Sequence, residues 1–380
     1  MPRSSPSERI APAESRDSLR VLRIYHSAVV SAWRERDRQL RARRVNVTLV
    51  SAATWNEGGQ TVTCLPGADD FVIPARTLGR RPNLFLYDPR PLWRSMRSGQ
   101  FDLIDAHEEP VSLATAEILL VRRLARSTAR VTLYSAQNIF KRYPLPFRWF
   151  ERTALRTASG IHVCNEAAGE VLRRKGFAGA IEVLPLGVDI DHFHPGPPPN
   201  REPGALHIGY AGRLDAHKGV DVLIDAVAGQ PHWTLHIVGD GPNASDLRQH
   251  AAPLGSQVTF SGFAAVDNLP EIYRSFDVVV VPSLETPRWI EQFCRVAVEA
   301  MASGVPIVAS ASGALPEVVG NAGLLVPPGD VSALRKALDD LASDPERRRD
   351  LGRIGRDRSA RFSWPSIADR QRRFYGAVAR

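Results

Sequence analysis

Residues 278–310 read VVVVPSLETPRWIEQFCRVAVEAMASGVPIVAS. The four valines Val278 to Val281 have the character of a strand buried on both faces, because β-branched side chains suit a pleated sheet and nothing polar alternates with them. A polar loop follows from Pro282. Phe293 to Ala302 then has the composition of a helix, Gly304-Val305-Pro306 stops it, and Ile307 to Ser310 is the next apolar strand. Strand, helix and strand in that order predict a crossover between parallel neighbours.

The alternation extends outward from this unit. His207–Ala211, Thr234–Val238, Gln257–Phe260 and Gly323–Val326 are further short strands with helical stretches between them. An earlier series runs through Val21–Tyr25, Val45–Ser51, Phe101–Ala106, Val131–Ser135, Gly160–Val163 and Ile181–Leu184, with helices expected at Trp33–Arg43 and Leu113–Ala125. A chain of 380 residues exceeds what one core usually sustains. Between the two series lies His192–Gly204, HFHPGPPPNREPG, whose prolines and glycines favour an extended connection. The expected fold class is therefore α/β, with two doubly wound parallel-sheet (Rossmann-like) domains facing across a cleft, and with ligands at the C-terminal ends of the strands. Residues 1–18, rich in Ser, Pro and charge, are expected to lack order. The first domain is placed at 19–191, the linker at 192–204 and the second domain at 205–364.

Composition narrows the function classes. Hydrophobic residues make up 43% of the chain, yet no run reaches the roughly 18 apolar residues of a membrane span and no apolar leader opens the sequence. Cys64, Cys164 and Cys294 are too scattered for a disulfide framework or a CxxC zinc site. A soluble cytoplasmic protein is expected. The net charge of +8 invites a nucleic-acid reading, but Arg34-Glu35-Arg36-Asp37-Arg38 interleaves both signs and reads as a solvated helix face. Anionic small substrates, or peripheral contact with the inner face of a membrane, suit that charge better than nucleic acid.

Several motifs carry chemistry. GYAGRLDAHK, residues 209–218, puts Arg213 just past a strand end with Lys218 five residues on, a pair of cations suited to a diphosphate. Both also fit an ordinary surface helix start. Glu291 and Glu299 lie eight positions apart, and if the segment is helical throughout their backbones stand roughly 12 Å apart. That exceeds the roughly 5 to 10 Å of a hydrolase pair, so two grips on one long ligand are expected, with its phosphates at the helix start near Phe293, Cys294 and Arg295. The bland reading makes both glutamates helix-surface charges. His107, in DLIDAHEEP directly after the strand Phe101–Ala106, is a candidate to shuttle a proton or orient a hydroxyl, although most isolated histidines do neither. Asp189-Ile190-Asp191 resembles a metal-holding DxD string but reads better as structure beside the linker, and Gly239–Pro242 as a tight turn. Phe140 to Arg152 mixes aromatic and basic residues, which fits a membrane or anionic acceptor surface but better fits a helix packing its aromatic face inward.

With these residues together, the chain resembles the retaining glycosyltransferases of GT-B architecture, the group-one or family-four class. GYAGRLDAHKG, IVGDGP, PSLE, the E-x7-E segment from Glu291 to Gly304, LPEVVGNAGLLVPPGD, IEVLPLGVDIDHFHPG and FSWPSIADRQRRFY carry the resemblance over nearly the whole chain. It implies a sugar transfer from a UDP- or GDP-linked donor to a hydroxyl, with retention of configuration, no metal and no cofactor. By position it gives Gly212, Arg213 and Lys218 to the diphosphate, Glu299 to the ribose, Glu291 to the transferred sugar, Gly262 and Phe263 to the base pocket, and His107 to the reacting centre. It also implies that residues 365–380 form a helix returning to the first domain. Acceptors open to such an enzyme include a lipid-linked glycan, a polysaccharide or a secondary metabolite. A nucleotide-sugar epimerase or hydrolase, and a non-catalytic nucleotide-sugar binder, are the alternatives. Three departures stand out: His26–Ser31 replaces a glycine-rich loop, Cys294 replaces a glycine, and Glu285–Ile290 lengthens the loop before Glu291.

Overall fold

Runs of apolar and β-branched residues form the strands of a computed structural model that describes residues 18–57, 60–79, 81–99, 101–197 and 204–380. The segment expected to be an unordered tail, Ser18 apart, and residues 198–203 of the linker lie outside the described residues. Strands β1 (Leu19–Ile24), β2 (Val45–Ala52), β3 (Val72–Ala75), β4 (Leu103–Ala106), β5 (Arg130–Ser135), β6 (Gly160–Val163) and β7 (Ala180–Val183) pair in the order β7-β6-β5-β4-β1-β2-β3. Every pairing is parallel. Strands β8 (Leu206–Ala211), β9 (Trp233–Val238), β10 (Val258–Gly262), β11 (Val278–Val281), β12 (Ile307–Ser310) and β13 (Gly323–Val326) form a second parallel sheet, ordered β10-β9-β8-β11-β12-β13.

The two doubly wound sheets expected from the alternation are thus present. In each, order reverses at one point: β1 lies between β2 and β4, and β8 between β9 and β11. Crevices open at the C-terminal ends of strands at such switch points. The valines of β11 are buried throughout, as a strand covered by helices on both faces requires. Strand β3 and the antiparallel pairs Thr54–Glu57 with Gln60–Thr63 and Thr77–Leu78 with Leu86–Tyr87 are additions to the sequence reading.

Five helices matter to the site. They are α1 (Glu35–Ala42), α2 (Leu113–Leu124), α3 (Phe147–Thr157), α4 (Arg295–Ala302) and α5 (Trp364–Ala379). Helix α2 starts at Ser112, whose side chain accepts from the Thr115 N–H, and α5 at Ser363, whose side chain accepts from Ser366. Helix α5 lies against α1 of the first domain, where Asp369 pairs with Arg43 at 2.7 Å and the Tyr375 hydroxyl donates to Asp105 at 2.8 Å. The chain therefore crosses between domains twice, and at the crossings Val188 and Ser363 form a parallel bridge. Among the described residues no helix is long and apolar enough to cross a membrane.

One expectation is corrected. Arg34, Arg36 and Asp37 are not a solvated face; all three are buried. Arg34 donates to the carbonyls of Ala28, Val29 and Leu65 and pairs with Asp69, Arg36 donates to the Pro185 carbonyl, and Asp37 takes both oxygens to Arg23 at 2.9 Å. Buried charges persist only when paired or hydrogen-bonded, and these are.

Candidate active site

Strand β8 ends at Ala211, and Gly212 and Arg213 follow it directly. Among the described residues the Arg213 guanidinium pairs only within its own loop, Nε to Asp215 at 2.7 Å, and its side chain is 62% exposed. The turn Gly239–Pro242 props this loop, with the Asp240 carbonyl accepting from the Leu214 N–H at 3.0 Å. Lys218 comes next. Gly219, at φ 65°, closes against the exit of β11 so tightly that a Cβ there would stand 2.1 Å from the Pro282 carbonyl oxygen. That contact carries Lys218 to the mouth of the β8–β11 crevice.

From the other side comes the loop after β11. Lys218 Nζ meets Glu291 Oε2 at 2.8 Å, and the Ser283 hydroxyl donates to the same oxygen at 2.9 Å. The Trp289 ring lies 4.5 Å from Lys218 Nζ and 4.0 Å from the His217 ring, sealing one flank. Gly313, at φ 52°, lets the Ala314 N–H reach the Glu291 carbonyl, since a Cβ at 313 would fall 2.2 Å from that oxygen. Among the described residues Glu291 Oε1 takes no hydrogen bond, so one oxygen of a buried carboxylate is open to a ligand.

The helix expected over Phe293–Ala302 is present but begins two residues later, so the helical spacing from 291 to 299 does not apply. Helix α4 begins at Arg295, with Cys294 at its N-cap in the left-handed region, φ 65° and ψ 79°. The two glutamates occupy different environments for that reason. Glu299 is buried in α4, where Arg295 Nε pairs with it at 2.8 Å and the Tyr273 hydroxyl donates to it at 2.9 Å. A cavity of about 370 Å³ is lined by Gly212, Arg213, Lys218, Ser283, Glu291 and residues 292–296 from the second domain, and by Tyr134, Ala136 and Cys164 from the first. Glu299, His107, Gly262 and Phe263 do not line it. Phe263 is 84% exposed at the end of β10.

Residues from the first domain reach across. Asn165 Nδ2 donates to the Gln292 carbonyl at 2.7 Å, Gln292 Nε2 to the Ala136 carbonyl at 2.8 Å, and Asn138 Nδ2 to the Glu291 carbonyl at 3.2 Å. The Arg295 guanidinium stacks over Trp33 at 4.8 Å. None of Ser283, Trp289, Tyr273 or Asn165 was read as functional from the sequence. Trp289 stood in the lengthened loop, where an aromatic among polar residues was the one available signal.

His107 is corrected as a shuttle titrating near neutrality. It is buried, stacked on Tyr134 at 4.0 Å, and its Nδ1 receives a hydrogen bond from Arg23 Nη2 at 3.0 Å. Arginine only donates, so Nδ1 is an acceptor and the proton sits on Nε2. Burial and the Arg23 charge hold its pKa well below the usual histidine range. Asp105, His107 and His162 bring ligand atoms within 4.8 Å of one another. Arg23, however, already holds Asp105 at 3.0 Å, so a cation there would face a guanidinium. Asp189 Oδ1 accepts from the Asp191 and His192 N–H groups, a turn rather than a ligand.

Near the end of β1, His26 replaces the expected glycine-rich loop. Its Nδ1 pairs with Glu108 Oε2 at 2.7 Å, while Glu108 Oε1 accepts from the Tyr87 hydroxyl at 2.8 Å. Burial works against protonation of His26, but Glu108 outweighs it and raises the pKa. Two protonation predictions follow. NMR of the imidazoles should show His107 still as the neutral Nε2–H tautomer at pH values where an ordinary histidine is already protonated, and a midpoint in the ordinary histidine range would refute the assignment. His107 and His162 both bind a proton less readily folded than unfolded. The unfolded chain thus takes up more protons, and the melting temperature should fall as pH drops below about 6.5, His26 opposing in part.

Two family models match the chain: "Glycosyl transferases group 1" over residues 198–358 and "Glycosyltransferase Family 4" over residues 34–192. The chain is 39% identical over 213 residues to a D-inositol 3-phosphate glycosyltransferase of Stackebrandtia nassauensis, covering 50% of this chain and 47% of that protein. The chain spans about half the length of the curated relatives it matches. Among solved structures, the sucrose-phosphate synthase of Thermosynechococcus elongatus aligns with a TM-score of 0.68 at 24% identity, over 95% of this chain and 99% of that one. Anabaena HepE, solved in complex with UDP, aligns with a TM-score of 0.69 at 20% identity, over 94% and 100%. These likenesses show a shared two-domain fold.

Proposed function

The chain belongs to the group 1 glycosyltransferases of GT-B architecture, and from that premise we propose that it moves a sugar from a nucleotide-diphosphate donor to a hydroxyl acceptor with retention of configuration. One observation carries this reading: two cations, Arg213 and Lys218, and a buried carboxylate with a free oxygen, Glu291, converge on one cavity at a switch point between two sheets. The cations suit a diphosphate, and the backbone N–H groups that open α4 add to them. Glu291 Oε1 accepts from a sugar hydroxyl.

In this reading the bond between the anomeric carbon and the diphosphate oxygen breaks while Arg213 and Lys218 take up the charge on the leaving group. The acceptor oxygen bonds to the anomeric carbon on the same face, and its proton passes to the departing phosphate. His107, buried and outside the cavity lining, touches no reacting atom in this reading; it supports the cavity wall by stacking on Tyr134. Glu299 acts by fixing Arg295 at the helix start, and a ribose contact requires that pair to rearrange.

Saturation-transfer NMR with UDP- and GDP-sugars, followed by a donor-hydrolysis assay, tests the reading. Binding and slow hydrolysis are expected; absence of binding to every nucleotide sugar tried would sink it. Cys294 supplies a further expectation. A non-glycine residue in the left-handed region costs roughly 1 kcal/mol, so Cys294→Gly should raise the melting temperature by a few degrees and widen the sugar pocket. Thermal melts and donor-selectivity ratios measure both effects, and a lowered melting temperature would contradict the strain.

A further inference from the structure

Helix α3 buries only Ala154 among its eleven residues. The expectation that its aromatic face packs inward holds in part: Phe147 and Phe150 are half-buried, but Trp149 is 60% exposed, and Leu145, just before the helix, is 69% exposed. Arg148, Arg152 and Arg156 repeat every four residues along the same exposed side, a stripe about 12 Å long at the rise of an α-helix. Like charges at that spacing repel. Among the described residues no carboxylate pairs with any of the three, because Glu151, the acid of this helix, is bound to Lys175. Lys141 and Arg142 add two more cations at the near end, also without ion pairs among the described residues. A groove of about 1020 Å³ runs beside them.

We propose that this face docks on an anionic lipid bilayer, with Trp149 and Leu145 entering the interface and the arginine stripe lying over the headgroups. Charge complementarity requires an anionic partner. The two protruding apolar side chains favour a bilayer over a soluble polyanion, which would leave them in water. The same chain segment leaves β5, passes the cavity at Ala136 and Asn138, and then builds this face. An acceptor carried in the membrane would thus be presented beside the cavity. The proposal does not depend on the glycosyl-transfer reading.

The full chain is to be sedimented with phosphatidylcholine vesicles, with and without about one-third phosphatidylglycerol. Binding is expected to the anionic vesicles alone and to weaken with salt. At about fivefold per charge, the triple variant Arg148→Gln, Arg152→Gln, Arg156→Gln should lose roughly 100-fold in affinity. Trp149→Ser should lose about tenfold, and brominated acyl chains should quench Trp149. Unchanged melting temperatures of the variants keep folding out of the comparison. Equal binding to neutral vesicles, no binding to either, or a triple variant within about twofold of wild type would overturn the proposal. So would equal affinity for dextran sulfate that Trp149→Ser leaves unaltered, which would identify a soluble polyanion as the partner.

Discussion

Lys218→Ala is expected to lower donor turnover by roughly 10²- to 10³-fold, the scale of removing one preorganised charge from a developing anion. The loss should fall mainly on kcat, because the charge on the leaving group grows as the glycosidic bond breaks. Lys218 is also the counter-charge of Glu291, whose side chain is 8% exposed. Without it, Ser283 alone would face that carboxylate oxygen, and a buried carboxylate would lose its counter-charge. Lys218→Arg separates the two effects: it keeps a positive charge beside Glu291 but places a fork where a compact ammonium stood. Steady-state kinetics of donor hydrolysis decide the matter. A Lys218→Ala enzyme within about threefold of wild type would remove Lys218 from the leaving-group contact.

Arg23→Met carries the largest expected cost in stability, roughly 3 to 5 kcal/mol. Arg23 is fully buried, and its guanidinium serves Asp37, Asp105 and His107 at once. Burial alone would raise the Asp105 pKa, but His162 and Arg23 together hold it far below the usual carboxylate range. Removing Arg23 takes away both hydrogen bonds that Asp37 accepts and leaves Asp105 with Thr132, His162 and Tyr375. At about 2 to 4 °C per kcal/mol for a domain of this size, the first domain should melt roughly 10 °C lower. His107 loses its only arginine donor in the same variant, so its tautomer should become mixed and its pKa should climb. Calorimetry and imidazole NMR report the two consequences separately. A melting temperature within about 2 °C of wild type would show that the network is dispensable.

How far the sequence could be read depends on the range of the interactions involved. The valines of β11 and the Gly-Val-Pro stop before β12 announce themselves locally, and with them came the parallel crossover and the two-sheet plan. Burial of Arg34, Arg36 and Asp37 was illegible, because it depends on partners in other elements: Arg34 reaches Leu65 and Asp69, Asp37 reaches Arg23 on β1, and Arg36 reaches Pro185. An interleaved charge run looks the same whether it faces water or a network assembled from four strands and the last helix. Glu291 was singled out from its spacing to Glu299, yet that spacing assumed a helix that begins only at Arg295. Cys294, where a glycine was expected, marked the break. Phe140 to Arg152 was misjudged in part because amphipathicity does not say which side has a partner.

Two adjacent crossings, bridged where Val188 meets Ser363, form a hinge. A swing about that line would keep the two crossings together, whereas a slide would have to break their bridge. Across the mouth from the hinge, Asn165, Asn138 and Ala136 hold the backbone or side chain of residues 291–292. These bonds make a latch on the loop that carries Glu291. Opening the mouth would release Gln292 and unsettle Glu291 in one movement, so under the proposed function exchange of nucleotide and the hold on the sugar would be mechanically one event.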